Sequence, residues 1–407
     1  IFTTAADNLG VSYHEAVVVE DAISGVQAGR KGNFGLVLGL AREENAQGLW
    51  QAGADVVVED MAQFGFDGIV DWFLKGMQAD DWVLTYYDYI AEKERSREAL
   101  LSVGNGYFGT RGAMAETDIT EINYPGTYMA GLYNRLSSQV SGRDIQNEDF
   151  VNVSNWLPMT FKIDEGEWLD INQINILDIK RKLDFKTGLM TSEMIVEDSE
   201  GRQTQIFTRR FASMHNPNVA GIHYCLHPMN YSGVLTIKSS LKGNHINEGV
   251  QRYAELNQNH LEAVSEMADG NIQNLVVKTT QSNILISQSA RLDVLYNGEN
   301  KRVEFKHNLL SNAMAESCFN YAVNEGDYLG LMKTVWIEHN SELFDIKRVR
   351  HAIDELKTFD EEMNLSFSAW EKIWEKIDIQ IEGDRLTQKM IRLHLYHLLA
   401  GTSPHNE

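Results

Sequence analysis

Cysteine, positive charge and long apolar runs are all scarce in this chain, and each scarcity removes a class of protein. Cys225 and Cys318 are the only two cysteines among 407 residues. They lie far apart and outside any C-x-x-C, which argues against a disulfide framework or zinc ribbon and predicts two reduced, partly buried thiols in a cytoplasmic protein. Lysine and arginine number 36 against 58 aspartates and glutamates, a net charge of −22. Such a surface repels phosphate backbones and anionic lipid, so neither nucleic acid nor a membrane is an expected partner. No stretch reaches the roughly 20 apolar residues of a membrane span, and no signal peptide opens the sequence. Apolar residues at 43% and charged residues at 23% are ordinary globular values, and the length allows two or three domains.

What is present is organised around residues 97–116, REALLSVGNGYFGTRGAMAE. Gly104, Gly106, Gly109 and Gly112 crowd together there, so the backbone turns with positive φ or comes very near another segment. The expectation is a shaped loop that presents Asn105 and Arg111. Gly104-Asn105-Gly106-Tyr107-Phe108-Gly109 satisfies G-x-G-x-x-G. A dinucleotide site, however, needs that motif to leave a buried strand and open a helix. Here a charged helical approach over 92–97 precedes it and the acidic run 116–121 follows, so the loop reads as structural.

Upstream, residues 16–19, 34–40 and 54–58 are short buried-type strands that alternate with helices over 22–31, 43–52 and 66–75. That order predicts a parallel α/β sheet with ligands at the carboxyl ends of its strands, where Glu20 and Asp21 sit. From 81 to about 338 the pattern is mostly β. Short runs at 160–163, 206–208, 233–238, 275–279, 283–287, 302–306 and 331–337 are bounded by Gly, Asn or Asp, and several alternate apolar with polar. So many strands in one block predict a large two-sheet antiparallel sandwich. His223, Cys225 and His227 share one strand face. Packing is their expected role, because neighbours on one strand do not complete a zinc tetrahedron without a distant fourth ligand. Residues 244–260 read as a polar surface loop. Past Asn340 the period becomes helical, over 344–356, 365–374 and, capped by Asp384, 385–399. His394 and His397 share a face of that last helix and read as structural.

Several motifs, in order, carry a family resemblance. They are Asp81-Trp82-Val83-Leu84, the 97–116 run, Asn155-Trp156-Leu157-Pro158, Arg181-Lys182-Leu183-Asp184 with Gly188, Thr208-Arg209-Arg210-Phe211, the pair Trp370 and Trp374, and Ile391-Arg392. From Asp81 onward the chain resembles the β-sandwich and linker of the glycoside hydrolase family of maltose, trehalose and kojibiose phosphorylases. The resemblance implies that linker helices lead into an (α/α)6 barrel which is absent here and which carries the general-acid glutamate. No catalytic residue is therefore expected in this chain. It further implies inorganic phosphate as co-substrate, Asn105 and Arg111 as substrate-binding candidates on the barrel rim, and a homodimer. Inverting attack on an α-glucoside needs a carboxylic acid to protonate the leaving oxygen, and phosphate in place of water yields β-glucose 1-phosphate.

Residues 17–40, VVVEDAISGVQAGRKGNFGLVLGL, resemble the last third of a haloacid-dehalogenase-type (HAD) phosphotransferase, β-phosphoglucomutase above all. The resemblance implies that Glu20 and Asp21 belong to a Mg²⁺ site, a cation that favours carboxylate oxygens. The Asp-x-Asp nucleophile, Ser/Thr and Lys of that family have no counterpart here, so phosphoryl transfer by this segment alone is not expected. The expected organisation is multidomain. Residues 1–76 would be a partial, Rossmann-like α/β segment, 77–340 the antiparallel sandwich, and 341–407 the linker helices. β-Glucose 1-phosphate is the product of one activity and the substrate of the other. The implied function is thus a bifunctional route from disaccharide to glucose 6-phosphate, with sugars and sugar phosphates as partners. A hydrolase, and a non-catalytic carbohydrate-binding module, are the alternatives.

Overall fold

The computed structural model describes all residues except 43–44, 75–80, 141, 248–256, 311–312, 341–350, 352, 382–384 and 405–407. The expected borders at 76/77 and 340/341, the Asp384 cap and the first part of the 344–356 helix lie outside the described residues. The chain divides into two compact units. One comprises 1–88, 180–187 and 371–398, and the other 89–179, 188–370 and 399–407.

In the first unit, β1 (Val17–Glu20), β2 (Leu36–Leu40) and β3 (Val56–Val58) form a parallel sheet in that order. Parallel neighbours need crossover connections, and the helices Ile23–Lys31 and Ala46–Gln51 supply them. Val18, Val26, Phe34, Val37 and Leu49 make the core. Gly29 lets the first crossover helix lie close, since a Cβ there would stand 3.1 Å from both Val18 and Val37. Helix Gly65–Leu74 buries Trp72, whose indole donates to Gly35 O at 3.0 Å. The same unit contains β4 (Val83–Tyr86), paired antiparallel with residues 181–184. Trp82 packs edge-on to Trp374, with centroids 4.9 Å apart. The Arg392 guanidinium lies 3.8 Å over the Trp82 ring and bonds both oxygens of Asp378 at 2.8 Å.

The second unit is antiparallel. In chain order its strands are β5 (Val103–Gly104), β6 (Phe108–Thr110), β7 (Thr127–Val140), β8 (Arg143–Val153), β9 (Met159–Ile163), β10 (Asn175–Asp184, whose last residues pair with β4) and β11 (Leu189–Glu197). Then come β12 (Gln203–Ala212), β13 (Val219–Pro228), β14 (Gly233–Lys242), β15 (Leu261–Asp269), β16 (Ile272–Thr279) and β17 (Leu285–Tyr296). Last are β18 (Glu299–Lys301), β19 (Lys306–Leu310), β20 (Met314–Val323) and β21 (Leu329–Asn340). One sheet runs β15-β16-β17-β21-β13-β12-β11, a second β19-β20-β14-β9, and a third β5-β6-β7-β8.

Alternation explains which face goes inward. Met159, Phe161 and Ile163 of β9, and Met190, Ser192, Met194 and Val196 of β11, are buried while their neighbours are not. The first two sheets face one another: Gln273 of β16 donates to Ser239 O of β14 at 2.9 Å, and Lys333 of β21 to Ser240 O at 2.8 Å. Helix Phe359–Ile377 covers the opposite face of the long sheet, with Phe359 edge-on to Phe211 at 5.4 Å and Met332 and Met363 beside them.

Three expectations need correction. Residues 302–305 are not a strand; pairing resumes at Lys306. The long β7–β8 hairpin went unnoticed because most of β8 is exposed on both faces, which leaves no apolar stripe to read. The described ends of 244–260 are not a plain surface loop. His260 is buried against Asn134, with its Nδ1 3.1 Å from the amide, and His245 Nε2 lies 3.1 Å from Asn152 O. Among the described residues no helix is long and apolar enough to cross a membrane.

Candidate functional site

The glycine-rich loop follows helix Ala91–Leu100, which is unusual in burying charge: Glu94, Arg97 and Glu98 are all inside. Buried carboxylates need partners, and Glu98 has them. Its Oε1 accepts from Asn123 at 3.1 Å, and its Oε2 accepts from Tyr124 N at 2.9 Å and Arg111 Nη2 at 3.4 Å. Burial nevertheless raises its carboxyl above the usual range, against the pull of those bonds. Arg111 also donates through Nε to Tyr124 O at 2.7 Å and through Nη2 to Arg95 O. Asn105, 5% exposed, gives both amide hydrogens to Ser213 O and Pro217 O at 3.0 Å. Its oxygen accepts from Tyr107 N and Phe108 N at 3.1 and 3.0 Å. The structure thus places both sequence-predicted side chains inside the loop, each bonded to its own fold.

The glycines are explained by close approach. Gly106 has φ +80° and its N–H donates to Ala400 O at 3.0 Å; a Cβ there would lie 2.5 Å from Thr402 O. Gly104 approaches Ala400 O in the same way, at 2.8 Å.

Just past the loop lies a group of ionisable residues that sequence reasoning did not connect. Arg210, Ile222 and Lys333 stand side by side across β12, β13 and β21, on the buried face. Tyr224 projects from that face two residues along, with its hydroxyl toward the Glu116 carboxyl. Glu116 Oε1 is shut off from solvent and has no hydrogen-bond partner among the described residues. Burial lifts this carboxyl to about 7, only partly offset by the Tyr224 hydroxyl and the Arg210 charge. Lys333 is fully buried, and burial pushes its amine well below the usual lysine range. Arg210 donates to Ala113 O at 2.6 Å.

On the opposite sheet face, His223 accepts from Arg209 Nε at 3.2 Å, and burial with the Arg209 charge lowers its imidazole to about 4. Burial pushes the Cys225 thiol up to about 11. His227 stacks on Tyr328 at 4.3 Å. The three side chains have separate partners, as expected for packing. Glu20 and Asp21 lie just past the end of β1, at the exposed edge of the parallel sheet. Gly25 leaves room for the Glu20 carboxylate, since a Cβ there would sit 2.4 Å from its Cδ. Asp21 Oδ2 is paired with Arg42 Nε at 2.8 Å. Among the described residues no three His, Cys, Asp or Glu are grouped to hold a metal. Two carboxylates, one already paired, do not alone make a magnesium centre.

Fold and site together define a two-sheet antiparallel sandwich module with no acid–base pair of its own on the loop. Residues 84–373 match the model of glycosyl hydrolase family 65, N-terminal domain, and the chain belongs to that family. An uncharacterized glycosyl hydrolase of Mycobacterium tuberculosis is 32% identical over 337 residues, covering 81% of this chain and 25% of that protein. A kojibiose phosphorylase of Caldanaerobacter subterraneus subsp. tengcongensis is 26% identical, over 79% of this chain and 41% of that protein. The chain therefore spans less than half the length of these relatives. Among solved structures, a putative kojibiose phosphorylase from human microbiome shares the fold, with a TM-score of 0.68 at 20% identity over 79% of this chain and 42% of that one.

Proposed function

We propose that this chain is the sandwich scaffold and helical linker of a disaccharide phosphorylase that inverts an α-glucosidic bond, joined to a β-phosphoglucomutase-like module. The kinship of residues 84–373 with the family's N-terminal domain carries the first part. The parallel sheet β1-β2-β3, with Glu20 and Asp21 at the carboxyl end of β1, supports the second. In the reaction, a phosphate oxygen attacks the anomeric carbon from the face opposite the leaving sugar. The bond to that sugar's oxygen breaks, and a carboxylic acid gives the oxygen its proton. No residue of this chain is assigned as that acid. Asn105 and Arg111 serve substrate binding indirectly, by holding the shape of the loop. Glu20 and Asp21 contribute two oxygens to a Mg²⁺ site completed by further groups of the mutase module.

The test is glucose release from kojibiose, trehalose and maltose by the intact gene product, with and without inorganic phosphate. Release only with phosphate, and none by residues 1–407 alone, supports the reading. Equal release without phosphate makes the protein a hydrolase, and turnover by the 407-residue chain refutes its role as scaffold.

A further inference from the structure

We infer that the sandwich carries a separate site for a neutral hexose, in a cavity of about 240 Å³ bounded by residues 115–118, β9, β14 and β20. The inference goes beyond the proposed phosphorolysis, because it needs neither phosphate nor a catalytic acid. Glu116, Asp118 and Glu316 bring carboxyls to the lining, Lys238 and Lys242 ammonium groups, and Thr160 a hydroxyl. Met159, Met314 and Pro158 supply an apolar wall. A hexose calls for this mixture: its hydroxyls donate and accept, and one face of its ring is C–H.

The charges in the cavity are matched to one another, which speaks against an anionic ligand. Lys242 Nζ lies 2.7 Å from Asp118 Oδ2. Lys238 Nζ lies 3.7 Å from Glu316 Oε2, which also accepts from Ser240 Oγ at 3.2 Å. With Glu116 added, a phosphate entering here would meet three carboxyls against two ammonium groups. Paired ammonium and carboxylate groups keep hydrogens and lone pairs to spare, and these suit neutral hydroxyls. Lys238 is further held by Trp168, whose ring centroid is 4.2 Å from the ammonium.

A second observation points to a ligand. Glu116 Oε1 has no access to solvent and no partner among the described residues. A buried acceptor in that state carries a desolvation penalty, which a hydroxyl donating to it would relieve.

Calorimetric titration of the 407-residue chain with glucose, glucose 1-phosphate and inorganic phosphate tests the inference. A monosaccharide held by a few hydrogen bonds binds in the range of about 1–10 mM. Glucose is expected to saturate there, and phosphate to give no heat and no competition. Asp118→Asn and Glu316→Gln each remove a charged acceptor and should weaken glucose about tenfold. The Asp118 side chain is 60% exposed at the mouth of the cavity, so D118N tests the site without disturbing the core. A flat glucose titration, displacement of glucose by phosphate, or glucose affinity unchanged in both variants would each overturn the inference. None of these results depends on whether the intact gene product phosphorolyses a disaccharide.

Discussion

Replacing Glu116 with glutamine should flatten the pH dependence of the sandwich's stability. Burial raises the Glu116 carboxyl from 4.5 to about 7, while an unfolded chain keeps it at the lower value. Between those values the folded protein holds a proton that the unfolded chain has released. Stability from this group is therefore fully present below about pH 4.5 and is lost as pH rises toward 7. A gap of about 2.5 pH units corresponds to about 3 kcal/mol. Because the residue is only half-buried, roughly 1–3 kcal/mol is the expected effect. Urea unfolding of wild type and E116Q, followed by tryptophan fluorescence at about pH 5 and about pH 7.5, isolates it, since every other carboxylate cancels in the difference. Wild type should lose 1–3 kcal/mol more than E116Q between the two conditions, to roughly that order. Identical slopes would place the carboxyl in water and refute the reasoning.

Lys333→Met should raise the urea midpoint at neutral pH, on the order of 1–3 kcal/mol, because it removes a buried amine whose bond is to a neutral carbonyl. The gain should shrink as pH rises, since the depressed amine makes wild type more stable at higher pH; a loss of stability would show that the Ser240 bond outweighs desolvation. Gly188 has φ +66° and a Cβ there would stand 2.3 Å from Trp370 Nε1. Gly188→Ala should therefore cost roughly 2–4 kcal/mol in thermal unfolding, and an unchanged midpoint would contradict the packing described. Asn105→Ala leaves two buried carbonyls and two amides without their partner. It should cost about 2–4 kcal/mol and speed hydrogen exchange at Tyr107 and Phe108; exchange at the wild-type rate would mean the loop holds without it.

Hydrophobic period made much of the fold legible. Strands such as β9, β14 and β21 stand out because buried residues alternate or cluster there, and the parallel sheet follows from strand and helix taking turns between Val17 and Val58. Period has nothing to say about β8, whose residues face water on both sides for most of its length. The four glycines announced tight approaches, and Gly104 and Gly106 make them. Which way Asn105 and Arg111 point was not readable, because a buried amide with four bonds and an exposed one have the same letter. The Glu116, Tyr224, Arg210 and Lys333 group comes from four separate segments that no spacing ties together. Its one trace in the sequence is a lysine interrupting the apolar run 331–337.

The most direct test of the central claim is the anomeric configuration of the sugar phosphate formed by the intact gene product from an α-linked glucose disaccharide and phosphate. Proton NMR during the first turnovers should show the β anomer of glucose 1-phosphate. The α anomer, or free glucose with no sugar phosphate, would contradict the account.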